Sequence, residues 1–393
     1  MPRSRLRIAI VGGGIGGLAA AYVLRRHDFD VTVYEQASAI GEIGAGVQIT
    51  PNALRLLERL GLGDAITSVG ARFESDSSFY RMDGTFVSPS VITDSSGWNG
   101  LYGMHRADLL DVFASRIPAE IVNTGHRAVG FHQDEGSATV EFENGATATA
   151  DLVIGADGIR SSLRRFVTER SLPVFSNMVA YRGLLSTDVL PGWPRNAWEL
   201  WAGEGSHFLV FPVRRGTMVN YVGFVPSTEE TAESWSAPGD PDDLRAAFRG
   251  WDPRVEQLLS NVESTFWWGL YDRDPLERWS NGRLTLLGDA AHPMLPHLGQ
   301  GVNQAIEDGV TLATVLSLGG ADDIPAALRA YERLRLDRTR DVQAGSRKNA
   351  ERYDSRYEDL EERDRELREH QSVRWPIYDY DAEATAREAF ASK

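Results

Sequence analysis

The chain has no cysteine among its 393 residues. This excludes a disulfide framework, a thiolate metal site and a dithiol redox mechanism. No apolar stretch approaches the length of a membrane span. Positive charge is not in excess: the formal net charge is −15 and no basic patch stands out, so nucleic acid and anionic membranes are poor partners. No internal repeat of roughly 20 to 50 residues is present. The opening MPRSRLRIAIVGGG lacks the long apolar core of a signal peptide, because its apolar run is short and leads straight into glycines. A cytoplasmic location is the expectation. What remains, 42% hydrophobic and 25% charged residues, is an ordinary globular composition, long enough for about two or three domains.

What is present is concentrated first in Arg5 to Gln36, RLRIAIVGGGIGGLAAAYVLRRHDFDVTVYEQ. The run Ile8-Ala9-Ile10-Val11 has the composition of a buried parallel strand. Gly12, Gly14 and Gly17 follow in the register G-x-G-x-x-G, then a small-residue helix from Leu18 to Arg26, then a second strand from Val31 to Tyr34 that ends at Glu35. Strand, turn, helix and strand, with an acid about twenty residues beyond the glycines, form a dinucleotide-binding βαβ unit. Gly12 permits the turn off the strand. Gly14 lets backbone N–H groups approach a pyrophosphate with no Cβ in the way, and Gly17 lets the helix lie close on the sheet. The helix N-terminus presents unpaired N–H groups and a partial positive charge to the phosphates. Glu35 is placed to accept hydrogen bonds from ribose hydroxyls. A plain helix–strand turn does not explain three glycines and the acid together.

Downstream, Gly41 to Gly46 (GEIGAG) forms a glycine-rich loop, and Thr50-Pro51-Asn52 starts a helix that reaches Leu60 and ends at Gly61. Phe73 to Val91 reads as short strands joined by Asp83-Gly84. Helical pattern returns at Arg106 to Ile117, followed by strands at Val129 to Gln133 and Ala138 to Glu143 and a turn at Asn144-Gly145. Leu152-Val153-Ile154 is another buried strand, running into Gly155-Ala156-Asp157-Gly158 and Arg160 to Arg164. From Phe175 to Leu270 the character changes to β-rich segments in which Trp and Tyr concentrate. Leu284 to Leu287 returns to parallel-strand character, followed by Gly288-Asp289 and by Pro296 to Gly301, which opens a helix with Val302, Ile306, Val310, Ala313 and Leu316 on one face. Tyr331 to His370 is heavily charged and reads as a long solvated helix or helix pair. The aromatic tail Trp375 to Tyr380 is expected to pack back onto the body. The fold class is α/β: a Rossmann-like domain with an inserted β-sheet domain and a helical C-terminal segment. The expected bounds are residues 1–72, 92–174 and 271–345 for the discontinuous nucleotide-binding domain, 73–91 and 175–270 for the sheet domain, and 346–393 for the C-terminal segment.

Three motifs thus lie in order: Gly12, Gly14 and Gly17 with Glu35; Asp157-Gly158 with Arg164; and Gly288-Asp289 with its Pro- and Gly-rich loop. With the long stretches GADGIRSSLR and LTLLGDAAHPMLPHLGQGVNQAIED, the chain resembles the single-component FAD-dependent aromatic hydroxylases, the group A flavoprotein monooxygenases. Within them it is similar to the salicylate, 3-hydroxybenzoate and 6-hydroxynicotinate hydroxylases. The resemblance covers nearly the whole chain and implies a para-hydroxybenzoate-hydroxylase-like fold. It implies bound FAD, NADH or NADPH as co-substrate without a second Rossmann domain, and O₂. A flavin C4a-hydroperoxide would deliver oxygen to a small aromatic acid. Alternatives on the same scaffold are a 6-hydroxynicotinate-type or natural-product hydroxylase, an epoxidase, a flavin oxidase or dehydrogenase, or a flavin-bound sensor. A monomer or homodimer is expected, with no metal.

The same resemblance implies roles for single residues. Asp289 takes a ribityl hydroxyl of FAD; its other reading is a helix N-cap. Arg106 contacts the FAD linker region, or is a surface cation. Gln48 belongs to the flavin-side loop. Asp157 and Arg164 belong to a motif associated with FAD and NAD(P)H, with a turn and an ion pair as the structural alternative. Gly299, Gln300 and Gly301 bring the helix N-terminus at Gly301, Val302 and Asn303 to the flavin pyrimidine edge, where its partial positive charge stabilises the reduced anionic ring. Pro293 and Pro296 shape the loop beside the reactive edge. A base for the substrate hydroxyl is expected among His207, His297, Tyr221 and Tyr181, with His292 read as structural. Trp201, Trp267 and Trp268 line an aromatic pocket or fill core. Arg182 and Arg214 are the cations available to a substrate carboxylate.

Overall fold

The Ile8–Val11 run becomes a central strand of a parallel sheet, buried on both faces as its composition requires. The structure, a computed structural model, describes residues 5–41, 45–169, 172–228, 237–319, 322–356, 359–369 and 373–391. Residues 42–44 of the GEIGAG loop and His370 lie outside that set. Strand β1 (Arg7–Val11) pairs in parallel with β2 (Asp30–Tyr34) on one side and with Leu152–Gly155 on the other. Leu284–Leu286 and Val122–Asn123 extend the sheet in parallel, and Ser280–Asn281 adds an antiparallel edge. Helix α1 (Ile15–Arg26) packs on this sheet with its small residues Ala19, Ala20 and Ala21 buried. The three sequence motifs leave the C-terminal ends of these strands: Gly12 after β1 with Glu35 after β2, Ala156-Asp157 after Leu152–Gly155, and Gly288-Asp289 just beyond Leu284–Leu286. Open α/β sheets bind ligands along that edge.

The Trp- and Tyr-rich region forms an eight-stranded sheet. Its central strands are β4 (Val174–Ser186), β5 (His207–Val213), β6 (Met218–Pro226) and β7 (Thr265–Asp272), all antiparallel. The hairpin around Asp83-Gly84 joins at the far edge, where Ser78–Arg81 pairs in parallel with Glu199–Ala202. Side chains alternate between faces along each strand. One face packs Phe208, Val210, Val219 and Tyr221 against Leu244, Phe248, Val255 and Leu258 of two short helices. The other face looks toward the parallel sheet. Between the two, β3 (Gly46–Ile49) pairs with Tyr102–His105 and leads into α2 (Pro51–Arg59).

Two helices close the structure. Helix α3 (Gly301–Ser317) carries the predicted apolar face, with Ile306, Val310, Ala313 and Leu316 buried against the body. Helix α4 (Ile324–Asp354) corrects the expectation of a solvated helix. Its residues Arg335, Thr339, Val342, Ser346, Asn349 and Tyr353 are buried, and their three- and four-residue spacing marks one face. The face is polar because it answers charge. Arg335 bonds Glu307 at 2.5 Å and Asp308 at 2.7 Å, and all three side chains are fully buried. Arg338 adds a 2.8 Å bond to Glu307, and His292 holds Asp308 at 2.6 Å. A single helix crosses residue 345, so no break in secondary structure falls at that expected bound. The tail does fold back: Tyr378 is buried and Arg338 lies 3.8 Å over the Tyr380 ring, although Trp375 is exposed. No helix among the described residues is long and apolar enough to cross a membrane.

Removing one member of a buried ion cluster strands the others. Arg335→Met leaves Glu307 and Asp308 without their shared partner and should cost about 3 to 5 kcal/mol, read as a lowered thermal midpoint. Burial pushes Asp308 up, but His292 and Arg335 overcome it and hold the carboxyl at about 2. A depressed carboxyl stabilises the fold above its unfolded value and loses that contribution as pH falls through the folded one. Stability should therefore drop by about 2 kcal/mol from this group between about pH 4 and pH 2. Asp308→Asn should flatten that part of the profile, which melting curves across the range would reveal.

Candidate active site

The three glycines of the first turn are separated by what surrounds them. Gly12 has φ +118°, and a Cβ there would lie 2.2 Å from the Ala156 carbonyl oxygen. A Cβ on Gly17 would lie 2.0 Å from the Gly12 oxygen, so the helix sits on the strand only because the side chain is absent. At Gly14 a Cβ would meet nothing within 4 Å. The middle glycine is therefore not required by chain packing. It opens onto the N-terminus of α1, where N–H groups point outward without helical partners. Glu35 stands beside it, its Oε2 accepting from the Gly13 N–H at 2.7 Å and its Oε1 from the Ala37 N–H at 2.8 Å. Each oxygen keeps a lone pair for a further donor.

A cavity of about 460 Å³ lies between the parallel sheet and the inner face of the second sheet. One wall is made by Ala45 to Gln48, Arg106, Asp157-Gly158, Asp289, Pro293 to Pro296 and Gly299 to Val302. The Asp289 carboxylate is accessible within it. Burial raises its proton affinity, with His292 and Arg106 drawing it back. Asp157 accepts from the Ser162 N–H at 2.7 Å, and burial raises its carboxyl also. Gly299 takes φ +63° to turn the loop into α3. The first helical bond there runs from the Gln304 N–H to the Gln300 carbonyl, so the N–H groups of Gly301, Val302 and Asn303 precede the ladder. The Asn303 side chain donates to the Gln48 and Gly299 carbonyls at 2.9 and 2.8 Å and accepts from the Thr50 N–H at 3.0 Å. It pins the loop to β3 and is not on the cavity wall.

The opposite wall comes from one face of the second sheet: Arg182 on β4, Leu209 and Phe211 on β5, Asn220, Val222 and Phe224 on β6, and Trp268 on β7. Arg182 is buried and lies 4.6 Å over the Trp268 ring. Burial, with Arg106 nearby, lowers its guanidinium to about 9.

Several expected residues stand elsewhere. Strand parity turns Tyr221 to the far face, where its hydroxyl donates to the Ser264 carbonyl at 3.4 Å and burial pushes it up to about 12. Tyr181 and Trp267 stack on each other on that face, and Trp201 is buried there with its indole N–H on Asp252 at 2.7 Å. Arg214 is held by both oxygens of Asp108 at 2.8 Å, away from the cavity. Arg164 sits behind the wall, donating to the Ala290 carbonyl at 3.1 Å, and burial beside Arg273 lowers it to about 10. His292 is a core partner of Asp308. Pro296 is on the wall, but His297 and His207 form a second layer behind Phe224, with ring distances of 5.2 and 4.0 Å to it. Asp354, bonded to His207 at 2.6 Å, and the apolar lining of β5 and β6 were not anticipated. The alternation along those strands was readable, but not which parity faced inward.

The FAD-binding-domain family profile matches residues 5–346. The chain belongs to that family. It is 39% identical to the 3-amino-4-hydroxybenzoate 2-monooxygenase PtnB3 of Streptomyces platensis, over 89% of both chains. It is 36% identical to a salicylate hydroxylase of Pseudomonas putida, over 89% of this chain and 87% of that one. Among solved structures, a salicylate hydroxylase substrate complex superposes with a TM-score of 0.85 at 31% identity over 98% of each chain. HpxO of Klebsiella pneumoniae, complexed with FAD and uric acid, gives 0.81 at 28% identity, covering 98% of this chain and 96% of that one. The resemblance drawn from the three motifs is borne out, as is the fold class. FAD is the cofactor of this fold, and the open cradle at Gly14 fits its pyrophosphate.

Two substitutions test the cradle. Gly14→Val should leave the protein folded but colourless, since its Cβ meets only the space needed by the cofactor; Gly17→Val should fail to fold, and circular dichroism with the visible spectrum separates the two. Asp289→Ala should weaken FAD binding by about 10- to 100-fold through loss of a charged hydrogen bond, measured by flavin fluorescence titration.

Proposed function

We propose that this protein is an NAD(P)H-dependent flavoprotein monooxygenase that hydroxylates a small aromatic acid. The observation that carries this is a single cavity that joins Asp157, Asp289 and Gly299 to Val302 with an apolar sheet wall holding one buried cation, Arg182. FAD, when bound, supplies the activation of O₂ and the transfer of one oxygen atom, with NAD(P)H as reductant. Glu35 would hold the adenosine ribose, and Asp289 would hold a ribityl hydroxyl. The N-terminus of α3 at Gly301, Val302 and Asn303 offers positive potential to the pyrimidine edge of the ring. Arg106 and Gln48, on the same wall, would contact the flavin.

The aromatic ring of the substrate lies against Leu209, Phe211, Val222 and Phe224, which exclude water from the reacting atoms. Arg182 takes the carboxylate as a fork of two donors. His297, in the layer behind Phe224, accepts the proton of the ring hydroxyl through a water at the Pro296 edge of the cavity. Burial holds this imidazole well below its ordinary value, so it is a neutral acceptor at pH 7. Ionising the hydroxyl raises electron density ortho and para to it, where the oxygen is delivered. Tyr221 faces away and takes no part. The NAD(P)H requirement supports a cytoplasmic enzyme, and a monomer or homodimer completes the reading.

The test is NADH and NADPH oxidation by the flavin-loaded protein with salicylate, 3-hydroxybenzoate, 6-hydroxynicotinate and 3-amino-4-hydroxybenzoate. Stimulated oxidation should accompany a product carrying one atom from ¹⁸O₂. Oxidation of NAD(P)H that never yields labelled product would sink the hydroxylase reading in favour of an oxidase. Arg182→Met, which keeps the apolar volume, should raise KM for the acid by about 10- to 100-fold and leave the corresponding primary amide unaffected.

A further inference from the structure

Behind the cavity, the two histidines continue into a carboxylate. Asp354 is the last residue of α4, mostly buried but with its side chain 13% exposed. Its Oδ1 lies 2.6 Å from Nδ1 of His207, which is buried at the start of β5 and stacked on Phe224. A carboxylate only accepts, so the neutral imidazole presents Nδ1–H to Asp354 and keeps Nε2 as its acceptor nitrogen. His297 lies beyond, its ring 5.2 Å from that of His207, with neither of its nitrogens hydrogen-bonded among the described residues. The ligating atoms of His207, His297 and Asp354 all lie within 4.8 Å of one another, a gap that one bridging water spans. A buried imidazole with both nitrogens unbonded is costly to hold, and a purely structural tether between β5 and α4 has no need of it.

We propose that Asp354 is a positioning residue for proton removal from the substrate. It fixes the His207 tautomer so that a proton taken by His297 moves on to His207 Nε2, with the resulting charge met by Asp354. The proposal rests on the hydroxylase reading above. In the transfer the substrate O–H bond breaks as a bridging water gains that proton and gives one to His297, whose N–H bond breaks in turn as His207 Nε2 gains the proton. No electrons change hands, and the His207 Nε2–H bond breaks when the proton passes back to water on product release, leaving the Nδ1–H tautomer in place. The titratable groups facing the pair are Tyr353 on α4, whose ring lies 5.4 Å from His207 and 6.3 Å from His297, and behind it Arg374, which donates to the Tyr353 hydroxyl at 3.4 Å. From β6 the pair meets Phe224.

The test uses flavin-loaded wild type, Asp354→Asn and Asp354→Glu, with flavin content checked by absorbance. The probe is 3-hydroxybenzoate or salicylate, whichever the panel shows to be hydroxylated, together with a ring-fluorinated form whose hydroxyl is more acidic. Asp354→Asn should lower kcat by about a hundredfold with little change in KM. The deficit should shrink with the fluorinated probe and as pH rises, because a substrate already ionised does not need the relay. Asp354→Glu should recover most of the rate. An equal loss with both probes at every pH would mean a structural tether and overturn the proposal. Nitrogen NMR of ¹⁵N-histidine-labelled protein is an independent check. Wild type should show His207 protonated at Nδ1, and the Nε2–H tautomer would refute the proposal. Wild type that hydroxylates none of the acids would instead refute the reading on which it stands.

Discussion

Everything around the cavity depends on a buried cation far from it in sequence. Glu307 and Asp308 lie inside α3, two turns from the N-terminus that forms part of the cofactor wall, and their charge is answered there by Arg335, which both share, with Arg338 and His292 beside it. The same cluster reaches forward. Glu307 accepts from the Asn52 side chain at 2.6 Å, and Gln300, on the wall itself, is bonded to Asn52 and to Thr50. The ion cluster is thus continuous with the amides that orient the loop before α3. Apolar residues of similar volume would give equal or greater stability, but no apolar contact could relay orientation from α4 to Gln300 through directed bonds.

The second constraint is the period of the β-sheet. On β6, Asn220, Val222 and Phe224 face the cavity while Tyr221 faces the opposite core. A one-residue slip would exchange these sets. It would bring a phenol into the chamber and send Phe224 away from the histidines. The long pairing of β4 with β6, nine residues in continuous register from Met178 to Ser186, makes such a slip costly. The chemistry of the chamber is therefore written in register as much as in residue type.

These two constraints explain what could be read from the chain and what could not. Local motifs translate directly. Gly12, Gly14 and Gly17, the Pro51 helix start and the Asp83-Gly84 turn depend on neighbours within a few residues, and each appears where expected. The wall residues Asp289, Asp157, Gly299 and Gly301 follow strands, so their placement comes from the α/β architecture itself. Parity is different, because alternation reveals two faces without naming the inner one. Tyr221 and Arg214 face away from the cavity, whereas Arg182 lines it. The helix pair in the charged run from Tyr331 was legible, but its buried face was not, because burial of charge depends on partners at distant positions. Arg335 looks like a surface residue until Glu307 and Asp308 are seen beneath it.

The discontinuity of the nucleotide-binding sheet carries a consequence for how the protein is made. Leu284–Leu286 completes the parallel sheet beside Leu152–Gly155 only after the whole second sheet has been synthesised. The ion cluster under α3 closes only when Arg335 has emerged. A nascent chain ending before that residue holds Glu307 and Asp308 without the cation they share. The glycine turn at the N-terminus, first to leave the ribosome, is among the last parts to acquire its complete surroundings. The surroundings of the cofactor site are therefore completed only by the second half of the chain, where Leu284–Leu286, His292, Arg335 and Arg338 lie.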